Sequence, residues 1–312
     1  MIITITMNPA IDRGASIEKI SPEKKLRCGE LTVEAGGGGI NVSKAVKELG
    51  GLSYAIFPAG GGNGRHIQEI LTKKDIPYTA VKVLANTREN LTVVESSTNL
   101  EYRFVMPGYG LSQEEVERCY STIAILNPLA DILVASGSLP PGVSEDFYVR
   151  LAHMAKKSGI RFVADVSGSA LQLVAQEGVY LLKPNLSELA GLVGEEHIER
   201  DEVKEIAKEI INKGFCKVLV VSLGEQGAIL ITQDHYEEIP APHVEKLSTV
   251  GAGDSMVGGM VWMLQRKKEL LEVVKFGVAC GTAATLNIGT QLFNKKDAFR
   301  LFKTMNVDTQ KT

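Results

Sequence analysis

The segment Ser248-Thr249-Val250-Gly251-Ala252-Gly253-Asp254-Ser255-Met256 is where residue types and spacing most directly imply chemistry. It follows a loop and opens a strongly helical stretch, so its N–H groups sit at a helix N-terminus, where negative charge is stabilised. The flanking glycines remove side chains that would block a phosphate. An aspartate inside such a nest is unexpected if the nest only holds phosphate. Asp254 fits a general base that takes a proton from a hydroxyl while neighbouring amides stabilise a transferring phosphoryl group. Read alone, it fits a helix cap just as well.

Other glycine clusters, Gly36–Gly39 and Gly60–Gly62 with Gly64, offer further places where backbone could approach an anion. Asn185 and Glu188 stand three apart after a candidate strand, the spacing of a capping box and also of a pair of oxygen donors for a hard cation. Lys183 just before them could balance phosphate charge or lie solvated, and Asp12 alone reads as a turn residue. The nucleotide-binding patterns G-x-x-x-x-G-K-[ST] and G-x-G-x-x-G after a strand do not occur, and neither does the protein-kinase H-R-D loop. Nucleotide chemistry here must use another scaffold.

The elements that must position these residues alternate between short apolar runs and stretches of helical period. Candidate strands are Ile2–Met7, Tyr54–Pro58, Ile132–Ala135, Phe162–Asp165, Leu181–Lys183, Lys217–Ser222 and Gly227–Thr232. Amphipathic stretches between them include Val42–Leu49, Gly64–Lys73, Ser144–Lys157, Asp201–Lys213 and Asp254–Gln265. That order predicts an α/β fold whose central sheet is mainly parallel, with helices on both faces. Residues 14–34 and 89–106 break the pattern with short alternating strands and no helix between them. They are expected to pair as insertions into a small second sheet, a lid beside the site.

The chain has 312 residues with formal net charge -3. This near-neutral balance, without blocks of like charge, disfavours nucleic acid and anionic membranes as partners. No apolar run is long enough to span a bilayer, and the N-terminus alternates like a strand, so the expected location is cytoplasmic. Cys28, Cys119, Cys216 and Cys280 lie far apart and suggest buried thiols rather than a metal knuckle or disulfide framework.

Four ordered motifs together resemble the ribokinase-like PfkB carbohydrate kinases: Gly36-Gly37-Gly38-Gly39-Ile40-Asn41-Val42, Ser136-Gly137-Ser138-Leu139-Pro140-Pro141-Gly142, Lys183-Pro184-Asn185-Leu186-Ser187-Glu188 and Gly251-Ala252-Gly253-Asp254. The similarity runs from Met7-Asn8-Pro9-Ala10-Ile11-Asp12 to Gly289-Thr290. Lys24-Lys25-Leu26-Arg27, Glu101–Gly108 and Ser248–Met256 are most similar to the family's bacterial 6-phosphofructokinase branch. Gly38 stands where the tagatose-6-phosphate and fructose-1-phosphate kinases usually carry Lys.

The resemblance implies one ribokinase-like domain over residues 1–312, with the two insertions as its β lid. It implies transfer of the γ-phosphoryl group of ATP to O1 of fructose 6-phosphate. Tagatose-6-phosphate kinase and 1-phosphofructokinase are same-class alternatives, and a non-catalytic sugar-phosphate or nucleotide sensor is an alternative of another class. Asp254 becomes the catalytic base, and Gly251, Ala252 and Gly253 its anion hole. Asp12, Gly37, Gly38 and Asn41 would meet the sugar, and Lys25, Arg27, Arg88, Arg103 and Ser138 its phosphate. Lys183, Asn185, Ser222, Gly224, Gly227 and Asn287 would meet ATP. Asn185 and Glu188 would support Mg2+, mostly through water. Backbone around Ser248, Val250, Ala284, Asn287 and Gly289 resembles a K+ loop, although Gln291 departs from the Arg expected there. A homodimer paired through the lids would cover the exposed edges of the inserted strands.

Overall fold

The computed structural model describes residues 1–287 and 291–308. Strands β1 (Ile2–Ile5), β2 (Ala10–Ile17) and β3 (Thr32–Gly36) precede helix α1 (Gly38–Glu48), β4 (Ser53–Ala59) and α2 (Gly61–Lys73). Strands β5 (Tyr78–Lys82), β6 (Arg88–Glu95) and β7 (Leu100–Val105) follow, then α3 (Gln113–Leu126), β8 (Ile132–Ser136), α4 (Phe147–Lys157) and β9 (Arg161–Asp165). The next elements are α5 (Gly168–Glu177), β10 (Val179–Leu182), α6 (Leu186–Val193), α7 (Val203–Asn212) and β11 (Cys216–Ser222). Last come β12 (Ala228–Ile231), β13 (Tyr236–Ile239), α8 (Ala252–Gln265), α9 (Leu270–Ala284) and α10 (Lys295–Asp308).

Nine strands form one sheet in the order β13-β12-β11-β10-β9-β8-β1-β4-β5. It is parallel from β5 to β11 and antiparallel only at β12 and β13. Strands β1 and β8 at its centre, and β12 nearer one edge, are buried at every position, as strands covered on both faces must be. One apolar cluster contains Leu151, Val174 and Ile210, from helices on one face. The other contains Val46, Met260 and Phe276, from α1, α8 and α9.

Residues from the two insertions form a separate four-stranded sheet, β3-β2-β6-β7. Strand β2 begins at Ala10, ahead of the expected insertion boundary, because its pairing with β6 runs from Ala10↔Arg88 to Ile17↔Glu95. Strands β5 and β13 were not among the sequence candidates. Both lie at edges of the large sheet, where half-exposed residues dilute the apolar signal. No helix among the described residues is long and apolar enough to cross a membrane.

Candidate active site

Asp254 occupies the third position of α8, directly after Gly251, the N-cap, which adopts left-handed φ 71°. A Cβ at Gly251 would meet only the movable tip of Leu292 at 2.6 Å, so it is the left-handed backbone that selects glycine. The first helical bond runs from Ser255 N to Gly251 O at 2.8 Å. Of the expected anion hole, Ala252 N already donates to Thr249 O at 3.4 Å, whereas the N–H groups of Gly253 and of Asp254 itself lack helical partners and point out of the helix end. Asn41 Nδ2 donates to Asp254 Oδ2 at 2.9 Å, joining α1 to α8 across 213 residues. Burial pushes the Asp254 carboxyl up to about 6, and Asp165 adds to the rise, while Asn41, Lys183 and Lys44 oppose it. Such a carboxyl is ionised at neutral pH yet basic enough to accept a hydroxyl proton.

Lys183 directly follows β10 beside this nest, with Nζ 3.8 Å from where a Cβ on Gly253 would sit. It is buried and ion-paired to Asp165 at 2.9 Å; desolvation pulls the ammonium down, but Asp165, Glu188 and Asp254 together hold it above its ordinary range. Asn185 and Glu188 form the capping box of α6: Glu188 N donates to Asn185 Oδ1 at 2.8 Å, and Asn185 N to Glu188 Oε2 at 2.9 Å. Burial raises the Glu188 carboxyl, with Asp165 adding to the rise. No cluster of three or more metal-ligating side chains occurs among the described residues. A hard cation held through water and phosphate oxygens fits this sparse oxygen set, whereas a closed protein cage does not.

On the other side of Asn41, Asp12 lies on β2 with Glu34 of β3 and Asn90 of β6 as its register partners. Asn90 Nδ2 donates to Asp12 Oδ1 at 2.8 Å. Burial raises the Asp12 carboxyl, opposed by Asn90, Lys44, Arg88 and Arg103. A Cβ on Gly36 would fall on the Asp12 carboxylate, and one on Gly38 would stand 2.2 Å from Ser136 Oγ and 2.9 Å from Gly137 N. The glycine run thus serves close packing against the strand ends, with Gly37 at φ 111° capping α1. Arg88 is fixed by bonds from its guanidinium to Met106 O at 2.9 Å and Asn8 O at 3.1 Å. Asn8 Nδ2 in turn donates to Ser138 Oγ at 3.2 Å. Arg103 is exposed on β7.

This arrangement sits in a chain that matches the pfkB family carbohydrate kinase model over residues 1–297. The chain belongs to that family. It is 43% identical over 302 residues to the ATP-dependent 6-phosphofructokinase isozyme 2 of Escherichia coli (strain K12), covering 96% of this chain and 97% of that one. A crystal structure of the Escherichia coli phosphofructokinase-2 in complex with substrates and products superposes with TM-score 0.93 at 42% identity, over 98% of this chain and 99% of that one. A ribokinase of Arabidopsis thaliana, 18% identical with TM-score 0.74 over 97% and 98% of the two chains, shares the fold. The ribokinase-like α/β architecture, with its smaller separate sheet, is therefore that of this PfkB kinase.

The remaining expected residues of the PfkB kinase fall in three places. Ser222 ends β11 and bridges to Asn185, its N donating to Pro184 O at 2.9 Å. Gly224 and Gly227 turn the chain into β12. A Cβ on Gly227 would stand 2.0 Å from Ile239 O, so packing against β13 already demands that glycine. Ser248 packs on the end of α9 near Ala284, with Leu247 N donating to Thr285 O at 2.7 Å. Asn287 Nδ2 donates to Leu292 O at 2.6 Å. Val250 N donates to Ser248 Oγ at 3.2 Å. Gly289 lies outside the described residues.

Lys25 and Arg27 are not brought to the site. Both are exposed on the long connection between β2 and β3, and no hydrogen bond or ion pair ties them to Arg88, Asp12 or Ser138 among the described residues. Conversely, sequence reasoning gave no role to Asn8, Asn90, Glu34, Lys44 or Glu101. Ser248 Oγ donates to Glu101 Oε2 at 2.9 Å, which ties the small sheet to the nest loop. Register alone could have found Asn90, since pairing β2 with β6 places it opposite Asp12. The other contacts depend on the relative position of the two sheets, which leaves no local pattern.

Proposed function

We propose that this chain is an ATP-dependent 6-phosphofructokinase, transferring the γ-phosphoryl group of MgATP to O1 of fructose 6-phosphate. The observation that carries the reading is Asp254: a half-buried carboxylate on the first turn of α8, pinned by Asn41 beside unpaired helix N–H groups. The O1 proton passes to Asp254 as the bond from O1 to the γ-phosphorus forms. The bond from that phosphorus to the β,γ-bridging oxygen breaks, and ADP leaves with the oxygen. The Gly253 and Asp254 N–H groups and the Lys183 ammonium face the charge that spreads over the transferring oxygens. Asn185 and Glu188 would hold the waters of a magnesium ion, whose chemistry there is neutralisation of nucleotide phosphate charge.

Asp12 and Asn41 take the sugar hydroxyls, while Arg88, Arg103 and Ser138 grip the 6-phosphate. Lys25 and Arg27 join them when the small sheet acts as a lid. Backbone carbonyls near Ser248, Val250, Ala284 and Asn287 are candidates for K+. A lid-paired homodimer is supported by Leu100, Tyr102 and Phe104, exposed at alternate positions along the edge strand β7, and by Met106 just beyond it.

The test is the initial rate of ADP formation with MgATP and, separately, fructose 6-phosphate, tagatose 6-phosphate and fructose 1-phosphate, beside Asp254→Asn. Preference in kcat/KM for fructose 6-phosphate, lost in the variant, is the expected result. Preference for another sugar keeps the mechanism and replaces the substrate. No magnesium-dependent turnover with any of the three would favour a sugar-phosphate or nucleotide sensor.

A further inference from the structure

Asn41 has two chemically opposite ends, and only its NH2 group can stabilise a carboxylate. If the amide were turned over, its oxygen would face Asp254 and repel it. Something must therefore decide which end points at the base.

Lys44 lies one turn along α1 on the same helix face as Asn41. Its side chain is 8% exposed, and its ammonium has three acceptors in reach: Glu34 Oε2 at 3.1 Å, Ala35 O at 3.0 Å and Asn41 Oδ1 at 3.5 Å. An ammonium carries three N–H donors and no acceptor, so it accepts only the oxygen end of the amide. We propose that Lys44 is a positioning residue for phosphoryl transfer: anchored by Glu34 and the Ala35 carbonyl, it holds the Asn41 oxygen and so turns the Asn41 NH2 group toward Asp254.

The energetics agree with the geometry. A buried ammonium without partners would be strongly disfavoured, and desolvation does push Lys44 below its ordinary range, with Glu34 opposing that shift. Glu34, which Lys74 also approaches at 3.4 Å, is held below the usual carboxylate range by these two cations. The anchor stands on β3, so the order of the small sheet at its root is coupled to the orientation of a side chain touching the base.

This inference rests on reading Asp254 as the base, and the experiment separates the two. The kcat and the KM for ATP are measured for wild type, Lys44→Met, Lys44→Arg, Asn41→Ala, Asn41→Ala/Lys44→Met and Asp254→Asn, with melting temperatures. Lys44→Met is expected to lower kcat roughly tenfold or more with KM for ATP within about twofold, and Lys44→Arg to restore most of the loss. In the Asn41→Ala background the Lys44→Met effect should shrink to less than about twofold, the non-additivity of a relay. If Lys44→Met does not fold, Glu34→Gln/Lys44→Met removes the uncompensated buried charge and must show the same kcat loss. Unchanged kcat in a folded Lys44 variant, or a loss that adds fully to that of Asn41→Ala, overturns the proposal. An active Asp254→Asn overturns the general-base reading instead.

Discussion

The two sheets divide the work of the site between a buried half and an exposed half. Strands β8 and β12 of the large sheet are buried at every position, and Lys183 pairs with Asp165 inside the protein; only the root of the small sheet, where Glu34 of β3 meets Lys44, shares that burial. Strand β7 of the small sheet is exposed at five of six positions, with Leu100, Phe104 and Val105 open to solvent. A base must be desolvated and fixed before the reaction, because its proton affinity depends on a low-dielectric, ordered surrounding. A substrate phosphate must be gripped and released in every turnover, which favours cations on an element with little core of its own.

The largest loss is expected at Asp254. Asp254→Asn is expected to lower kcat by about 10²–10⁴-fold, the usual weight of a general base, with ATP binding nearly intact by calorimetry. The same change should stabilise the fold. Asp254 has a native pKa of about 6 against 3.8 in the unfolded chain, so the native state binds the extra proton. Stability therefore falls as pH rises from about 4 to about 6, and the full penalty, about 2–3 kcal/mol, remains at neutral pH. The variant escapes it, and its melting temperature at pH 7 should exceed wild type by several degrees. Equal melting temperatures would mean that the carboxyl is not held under strain by its burial. For wild type, kcat/KM should fall about tenfold per unit below pH 6, as the carboxyl facing Asp165, Lys183, Lys44 and Asn41 becomes protonated. A flat profile between pH 5 and pH 7 would remove Asp254 as the titrating base.

Much of the buried half was legible in the sequence, because its residues lie where a strand ends or a helix begins. The places of Asp254 and Asn185 at helix starts follow from local rules, namely glycine before a helix and N-x-x-E after an apolar run, whereas the burial of Lys183 against Asp165 left no local pattern. The capping-box reading of Asn185 and Glu188 is what the backbone forms, and the metal reading stands beside it without excluding it. The register of the small sheet was not legible. Whether Asp12 faces Glu34 and Asn90 or a different pair depends on one residue of slippage between strands far apart in sequence. Lys44 was invisible for a related reason. A lysine on an amphipathic helix reads as a solvated cation until β3 is placed over it, bringing Glu34 and the Ala35 carbonyl to its ammonium.

Within the small sheet the comparison can be sharpened at two arginines. Arg88→Ala should raise the KM for fructose 6-phosphate by at least about tenfold and also destabilise the fold by about 1–3 kcal/mol, because the Asn8 and Met106 carbonyls lose their donor. Arg88→Lys should recover little, since an ammonium cannot span both carbonyls and a phosphate. Arg103→Ala should raise the same KM with stability unchanged within about 0.5 kcal/mol, as befits an exposed side chain. Equal destabilisation by the two alanine variants, read from urea midpoints, would dissolve the distinction between root and outer face. Phe104→Asp tests the outer face itself. A charge at the centre of the exposed apolar row should shift the proposed lid-paired dimer to monomer in sedimentation velocity at micromolar concentration, and a wild-type chain that sediments as monomer would remove that dimer altogether.

The smallest expected effect, and the one that probes motion directly, is at the thiols. Cys28 is exposed beside Arg27 on the β2–β3 connection, whereas Cys119, Cys216 and Cys280 are buried. Burial pushes Cys119 and Cys216 up to about 12 and raises Cys280 well above the ordinary thiol range. A thiol reagent at pH 8 should therefore modify one cysteine in the native protein and all four only after unfolding, with little change in kcat from the first modification. Fructose 6-phosphate should slow the Cys28 reaction several-fold, because drawing Lys25 and Arg27 onto the phosphate carries their neighbour out of solvent. Protection by the sugar phosphate but not by ATP would place the moving charge on the sugar side. Identical rates with and without either ligand would leave Arg88, Arg103 and Ser138 as the whole phosphate grip, and the connection between β2 and β3 would then lie outside the site in the bound state as it does here.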